Sequence, residues 1–156
     1  MASAQLELMS GLSPDEADRV MALGSRVTLP SGTVLFRLGA EADSVFVIEF
    51  GRITLTLPMQ IGGREEDVLV DERLPGQIVG WSGLIPPHRF TLKATAPLET
   101  EVRALSRAAL LSHFAARPDV GFVVMRNLAA AIGRRLQVFQ AMWLREMQRM
   151  VELRRP

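Results

Sequence analysis

Residues 32–52 read GTVLFRLGAEADSVFVIEFGR, and the fold class turns on them. Val34-Leu35-Phe36 is a short apolar run followed by the Gly39–Asp43 loop; Val45–Phe50 is a longer run closed by Gly51-Arg52. Runs this short, bounded by turn residues and rich in β-branched and aromatic side chains, are strands. Immediately downstream, Ile53, Leu55 and Leu57 alternate with Thr54 and Thr56, which puts the aliphatics on one face of a third strand. Upstream, Val27–Leu29 leads into the turn Pro30-Ser31-Gly32. A loop over Pro58–Glu66, carrying Gly62-Gly63, is expected before a strand at Asp67–Asp71. Further strands are expected at Gln77–Val79, Phe90–Ala96 and Glu99–Leu105. About eight strands spaced by Gly and Pro predict a barrel, jelly roll or sandwich, with no internal repeat.

Helices flank this β region. Ser13 caps a helix over about Pro14–Leu23, with Pro14 at the first helical position, Glu16 completing a capping box and Gly24 as terminator. Ser106 caps a second helix that ends near Ala116, before Pro118. From Asp119 toward Arg155 the apolar residues fall in a four–three spacing: Phe122, Met125, Ala129, Ile132, Leu136, Phe139 and Trp143, then Glu146, Met150 and Leu153. Glu146 alone interrupts the stripe. Five heptads predict a long helix packed on another helix, and a seam of about 50 Å exceeds what one small β domain covers. The expected partner is the same helix of a second copy, with Ile132, Leu136, Phe139, Trp143 and Met150 at the dimer interface. For the first two turns the alternative is a helix folded back on its own β domain.

Composition narrows the function classes. The chain has 156 residues, one domain's worth, and 48% of them are hydrophobic, so it buries a real core. The absence of cysteine excludes disulfides, thiolate catalysis and iron–sulfur clusters, and His88 and His113 are too few for most metal sites. The longest uncharged stretch, Leu74–Pro87, holds 14 residues broken by three prolines and three glycines, too short for a membrane span. The first arginine is Arg19, so a basic secretory start is lacking and a cytoplasmic location is expected. Net charge is −3 over residues 1–118 and +4 over 119–156, too weak an asymmetry to argue nucleic-acid binding. Seventeen of the eighteen cationic residues are arginine, which suits anion binding, although a GC-rich genome is the ordinary explanation.

The stretch 32–52 resembles the cyclic-nucleotide-binding domain of the catabolite activator and FNR regulators: a Gly before a short strand, Phe36, Gly39, Asp43, an aromatic–aliphatic strand and Gly51. The likeness continues through Leu74-Pro75-Gly76, Gly80, the Ala94–Leu105 strand pair, Arg117-Pro118-Asp119 and Arg134-Arg135-Leu136-Gln137-Val138. It implies an eight-stranded β-roll over residues 1–118, with Phe36 and Phe46 filling its interior, and a long dimerisation helix over 119–156 in the same domain. In the family a winged-helix DNA-binding domain follows. Here none is expected: this is a stand-alone sensor or a piece of a longer chain.

The resemblance also implies a ligand site. The family's phosphate cassette starts with a Gly whose helix amides face the phosphate, a Glu beside it holds the ribose hydroxyl, and a later Arg neutralises the phosphate. The corresponding residues are Gly80, Trp81, Ser82, Gly83, Leu84, Arg89, Phe90 and Thr91, with Arg135 and Phe139 reaching in from the helix. Trp81 takes the acidic position and cannot accept a hydrogen bond, a loss of about 1–3 kcal/mol, or more than tenfold in affinity. The phosphate Arg is Arg89, or else His88 by register from Ala94. Phe139 and Gln140 replace the two hydroxyl residues that face the purine in the catabolite activator.

Two readings remain open. One is a regulatory sensor of a small anion other than cAMP or cGMP, or of these only weakly, signalling through the dimer helix. The other is a non-binding dimerisation or partner-binding scaffold with Trp81 plugging the pocket. No cofactor beyond such a ligand is expected. A cupin-type enzyme is disfavoured, because His88 lies in a loop and His113 on a short helix. DNA binding by Arg145, Arg149, Arg154 and Arg155 is likewise disfavoured, since nothing follows that forms a recognition helix.

Overall fold

A computed structural model describes residues 5–156; residues 1–4, the first of the stretch assigned to the roll, lie outside it. Eight strands form two four-stranded antiparallel sheets. The first has the order β1-β8-β3-β6: β1 is Ser25–Leu29, β8 Thr100–Ser106, β3 Ser44–Phe50 and β6 Ile78–Val79. The second has the order β2-β7-β4-β5: β2 is Val34–Phe36, β7 Lys93–Thr95, β4 Ile53–Ile61 and β5 Arg64–Arg73. The helices are α1 (Pro14–Met21), α2 (Arg107–Ala116) and α3 (Pro118–Leu153). The β-roll expected from the sequence, with flanking helices and a long C-terminal helix, is the fold observed.

Two cores follow from the pleat of the first sheet. Along β3, Val45 and Val47 face the helices, where they meet Leu8, Val20, Leu110, Phe114, Val124 and Leu128. Phe46 and Ile48, one residue on, face the second sheet and meet Phe36, Leu55, Phe90 and Val102. A strand buried on both faces reads as an unbroken apolar run, which is how Val45–Ile48 reads.

The caps form as expected at two helices. Ser13 Oγ accepts from the Glu16 N–H and Ser106 Oγ from the Ala109 N–H. The capping box at α1 is only half made, because the Glu16 carboxylate is engaged by Arg19 and Arg117. α1 also ends two residues earlier than expected, at Met21.

The expected loop over Pro58–Glu66 is the main correction. The chain there is an extended hairpin in which β4 and β5 pair from Ile53↔Arg73 to Ile61↔Arg64. The Gly62-Gly63 turn has φ of 59° and 79°, and positive φ at both central residues is what a two-residue hairpin turn demands. Backbone pairing, which polar residues make as well as apolar ones, extends the strands through Gln60, Glu65 and Glu66. Hydrophobic alternation fails to mark them because their side chains are exposed. The expected strand Phe90–Ala96 shrinks to Lys93–Thr95, because Phe90 is tied to the 39–41 loop: Gly39 N donates to Phe90 O and Phe90 N to Ala40 O.

Candidate functional site

The cassette begins where β6 ends. Gly80 takes φ 79°, a left-handed conformation open to glycine, and Trp81–Gly83 then makes a single 3₁₀ turn. A Cβ on Gly83 would lie 2.3 Å from the Ser44 carbonyl oxygen, so a glycine is required where the turn presses on β3. The turn satisfies its own amides: Gly83 N donates to Gly80 O and Leu84 N to Trp81 O. The expected cradle of inward-aimed amides over Ser82–Leu84 is therefore not formed by Gly83 and Leu84. Gly83 abuts β3 and Leu84 joins the core beneath the helices.

Between this turn, the second sheet and α3 lies a cavity of about 30 Å³, room for no more than a water or two. Gly80, Trp81 and Ser82 line one side and Phe90, Thr91 and Leu92 another. Phe36 and Leu55 of the second sheet also line it, and Ala131 and Arg135 reach it from α3. Phe36 and Phe90 stack with centroids 3.8 Å apart, filling the middle of the roll. Trp81 is half-buried at the junction, in contact with the core that joins the roll to the helices.

Arg89 and His88 are both outside this cavity. With Phe90 turned inward, the extended backbone turns Arg89 outward. Its Nη1 lies 3.4 Å from the Gly39 carbonyl, and residue 89 bridges Glu41. His88 Nδ1 sits 3.0 Å from Ser82 O and locks the loop onto the turn. Both belong to an open cleft of about 490 Å³ shared with Glu41, Asp43 and Arg107. The expectation of a phosphate-facing Arg89 or His88 is thus corrected. Phe139 is not in the cavity lining either; it packs on the core between the sheets.

The cation that joins Arg135 at the cavity is Arg73, at the end of β5. Its Nε donates to Ile78 O at 3.1 Å and its Nη2 to Glu7 Oε2 at 2.7 Å. Glu7, in the 3₁₀ turn Glu7–Met9, also accepts from the Ile78 N–H at 2.9 Å and from Arg134 at 3.0 Å. Burial alone pushes the Glu7 carboxyl up, but the Ile78 amide, Arg73 and Arg134 together hold it below the usual carboxylate range. Arg135 Nη2 donates to Asp71 Oδ2 at 3.1 Å. Burial pulls the Arg135 guanidinium down, with Arg73 adding to the effect and Asp71 and Glu7 opposing it. Three cations, Arg73, Arg134 and Arg135, and two carboxylates, Glu7 and Asp71, therefore sit at the junction of the roll, the amino-terminal turn and α3.

Sequence reasoning missed Arg73, Glu7 and Asp71. Arg73 carried a faint signal, a cation directly before the Leu74-Pro75-Gly76 turn; Glu7 carried none, because its partners lie 66 to 127 residues away. Among the described residues, no group of three or more His, Cys, Asp or Glu is placed to hold a metal ion. No helix of the described residues is long and apolar enough to cross a membrane.

Of the expected dimer residues, Leu136, Trp143 and Met150 are exposed. Ile132 and Phe139 pack against their own roll.

Comparison with known proteins matches residues 26–117 to the cyclic nucleotide-binding domain. The Pycsar effector protein XpPycTIR of Xanthomonas perforans is 30% identical over 121 residues, 77% of this chain; those residues span only 36% of the effector. Among solved structures, the catabolite activator protein of Thermus thermophilus is 27% identical with a TM-score of 0.76, covering 91% of this chain and 63% of that one. The N-terminal domain of a transcriptional regulator from Streptomyces coelicolor is 25% identical with a TM-score of 0.73, covering 88% and 94%. The match to that domain spans more than half of the chain, and the chain belongs to the cyclic nucleotide-binding domain family.

Proposed function

We propose that this domain is a regulatory sensor, not an enzyme, for a small anion other than cAMP or cGMP, or for these only weakly, and that it signals through α3. The observation that carries this reading is the pair of guanidinium groups, Arg73 and Arg135, at a cavity whose ribose-acceptor position holds Trp81. Guanidinium donors suit a carboxylate or phosphate, and an indole in place of a carboxylate removes the sugar's hydrogen-bond partner. Because Arg135 belongs to α3, an anion bound there prefers one placement of the helix over another, and only such a preference transmits a signal. The exposed stripe Phe122, Leu136, Trp143 and Met150 then pairs with its copy in a second chain, making the protein a homodimer able to pass the shift to a downstream partner.

Calorimetry with cAMP and cGMP, alongside mass spectrometry of co-purified small molecules, tests the reading. Trp81→Glu is expected to raise cAMP affinity about tenfold by restoring the acceptor. Absence of any gain, together with no anion bound by the native chain, favours the second reading, a scaffold that binds nothing. The small free volume and the stacked Phe36–Phe90 pair are the observations on that side.

A further inference from the structure

Asp71 and Glu7 are the carboxylates paired with the two arginines at the cavity, Glu7 being shared with Arg134, yet they are held differently. Glu7 is 14% exposed and has the Ile78 amide, Arg73 and Arg134 as partners. Taking it away would strand buried donors, which makes it a fixed part of the structure. Asp71 is 37% exposed, and Arg135 reaches it through one nitrogen, with Arg73 at a longer 3.6 Å. It also sits beside a bulge: Leu55 pairs with Asp71 and Thr56 with Leu69, leaving Val70 unpaired on the outer strand of the sheet. The other oxygen of Asp71, Oδ1, accepts from the exposed Glu72 N–H at 2.9 Å, a bond it keeps or exchanges for water, so releasing Arg135 strands no buried group on the aspartate's side. Arg135 cannot turn to water, because its side chain is only 16% exposed and lies under α3.

We infer that Asp71 is a built-in competitor for the ligand: a bound molecule's acidic group replaces the Asp71 carboxylate on Arg135, and the exchange moves the tether of α3 from β5 to the ligand. The inference rests on the reading of this cavity as the ligand site and adds its regulation. The rest of the lining fixes the ligand's body. Phe36, Leu55, Trp81, Phe90 and Leu92 offer apolar and aromatic surface, and Arg73 of β5 and Arg135 of α3 supply the cationic part of the lining. The chemistry that fits is an amphipathic anion, a carboxylate or phosphate on a planar apolar body. Without such an anion the Asp71–Arg135 pair holds α3 against the roll and the cavity stays near its 30 Å³. Occupation therefore requires both the exchange and an outward adjustment of the helix, which couples binding to helix position.

Two probes separate the acid types: indole-3-acetate as a carboxylate and cAMP as a cyclic phosphate. Asp71→Asn is expected to bind at least one of them about tenfold tighter than the native chain, as removal of one charge-assisted competitor implies. Arg135→Gln in the same background should abolish the gain. Hydrogen exchange over residues 131–139 should rise in ligand-free Asp71→Asn and fall again when the tighter-binding probe is added. Asp71→Ser serves as a second variant, and thermal melts confirm that each is folded. Equal or weaker affinity in Asp71→Asn, with the native chain binding, overturns the exchange alone. A gain that survives Arg135→Gln overturns it too. Failure of every form to bind either probe overturns the ligand site itself, and the exchange with it.

Discussion

Within α3, one apolar spacing meets two surroundings. Met125, Ile132 and Phe139 lie against the roll, while Phe122, Ala129 and Leu136, the alternate register of the same stripe, face away from it. From residue 140 onward every side chain of the helix is exposed, Trp143, Leu144, Met147 and Met150 among them. The roll-facing register continues at Glu146, which has no roll beneath it and is polar. The lesson is that a heptad pattern reports spacing and leaves open which surface covers each register. The proximal half has an intramolecular partner; the distal half has the composition of a surface awaiting one.

Three measurements break or sharpen that contrast. Leu128, fully buried in the proximal half, is expected to cost about 2–5 kcal/mol on replacement by alanine, read as a large drop in melting temperature. A loss below 1 kcal/mol would show that the helix is not seated on the roll. Next in size, Leu136→Glu combined with Trp143→Glu places like charges face to face along the outer stripe. It should shift the sedimentation profile from dimer to monomer and leave the roll's melting nearly unchanged. A dimer that survives the double change would move the interface elsewhere.

The smallest effect is expected at Glu7→Gln, which loosens the amino-terminal turn from Arg73 and Arg134. Because the folded carboxyl titrates below its usual value, its stabilisation is present at neutral pH and fades as the pH falls through the carboxylate range. The variant should melt a few degrees lower than the native chain at pH 7, with the two curves converging below about pH 4. A difference that persists unchanged into acid would mean that Glu7 acts through packing and not through charge.

Much of the fold was legible along the chain because it rests on local chemistry. The Val45–Phe50 run, the Ser13 and Ser106 caps and the break before Pro118 each depend on a few neighbouring residues, and all appear in the structure within a residue or two. The β4–β5 hairpin was obscured because its outer half pairs backbone to backbone with exposed side chains, leaving no alternation to read.

At the site, Gly80, Trp81, Ser82, Phe90, Thr91 and Arg135 were legible and are brought together around one cavity. The identity of the second cation was not. Which arginine faces inward depends on Phe90 taking the interior and thereby turning Arg89 to the surface, an outcome of how two aromatic rings share one space.

Sequence by itself determined most of the strand and helix inventory, the positions of Gly80 and Gly83 and the indole between them, since these depend on backbone propensity and on side-chain chemistry fixed at each position. Only the tertiary structure decided that Arg73 is the cation beside Arg135, that Glu7 and Asp71 are their counterions, and which register of α3 the roll covers. The pairs that tie α3 to this cluster, Arg135 with Asp71 and Arg134 with Glu7, join residues 64 and 127 positions apart, where distance in space is set by packing and leaves no periodic trace in the chain.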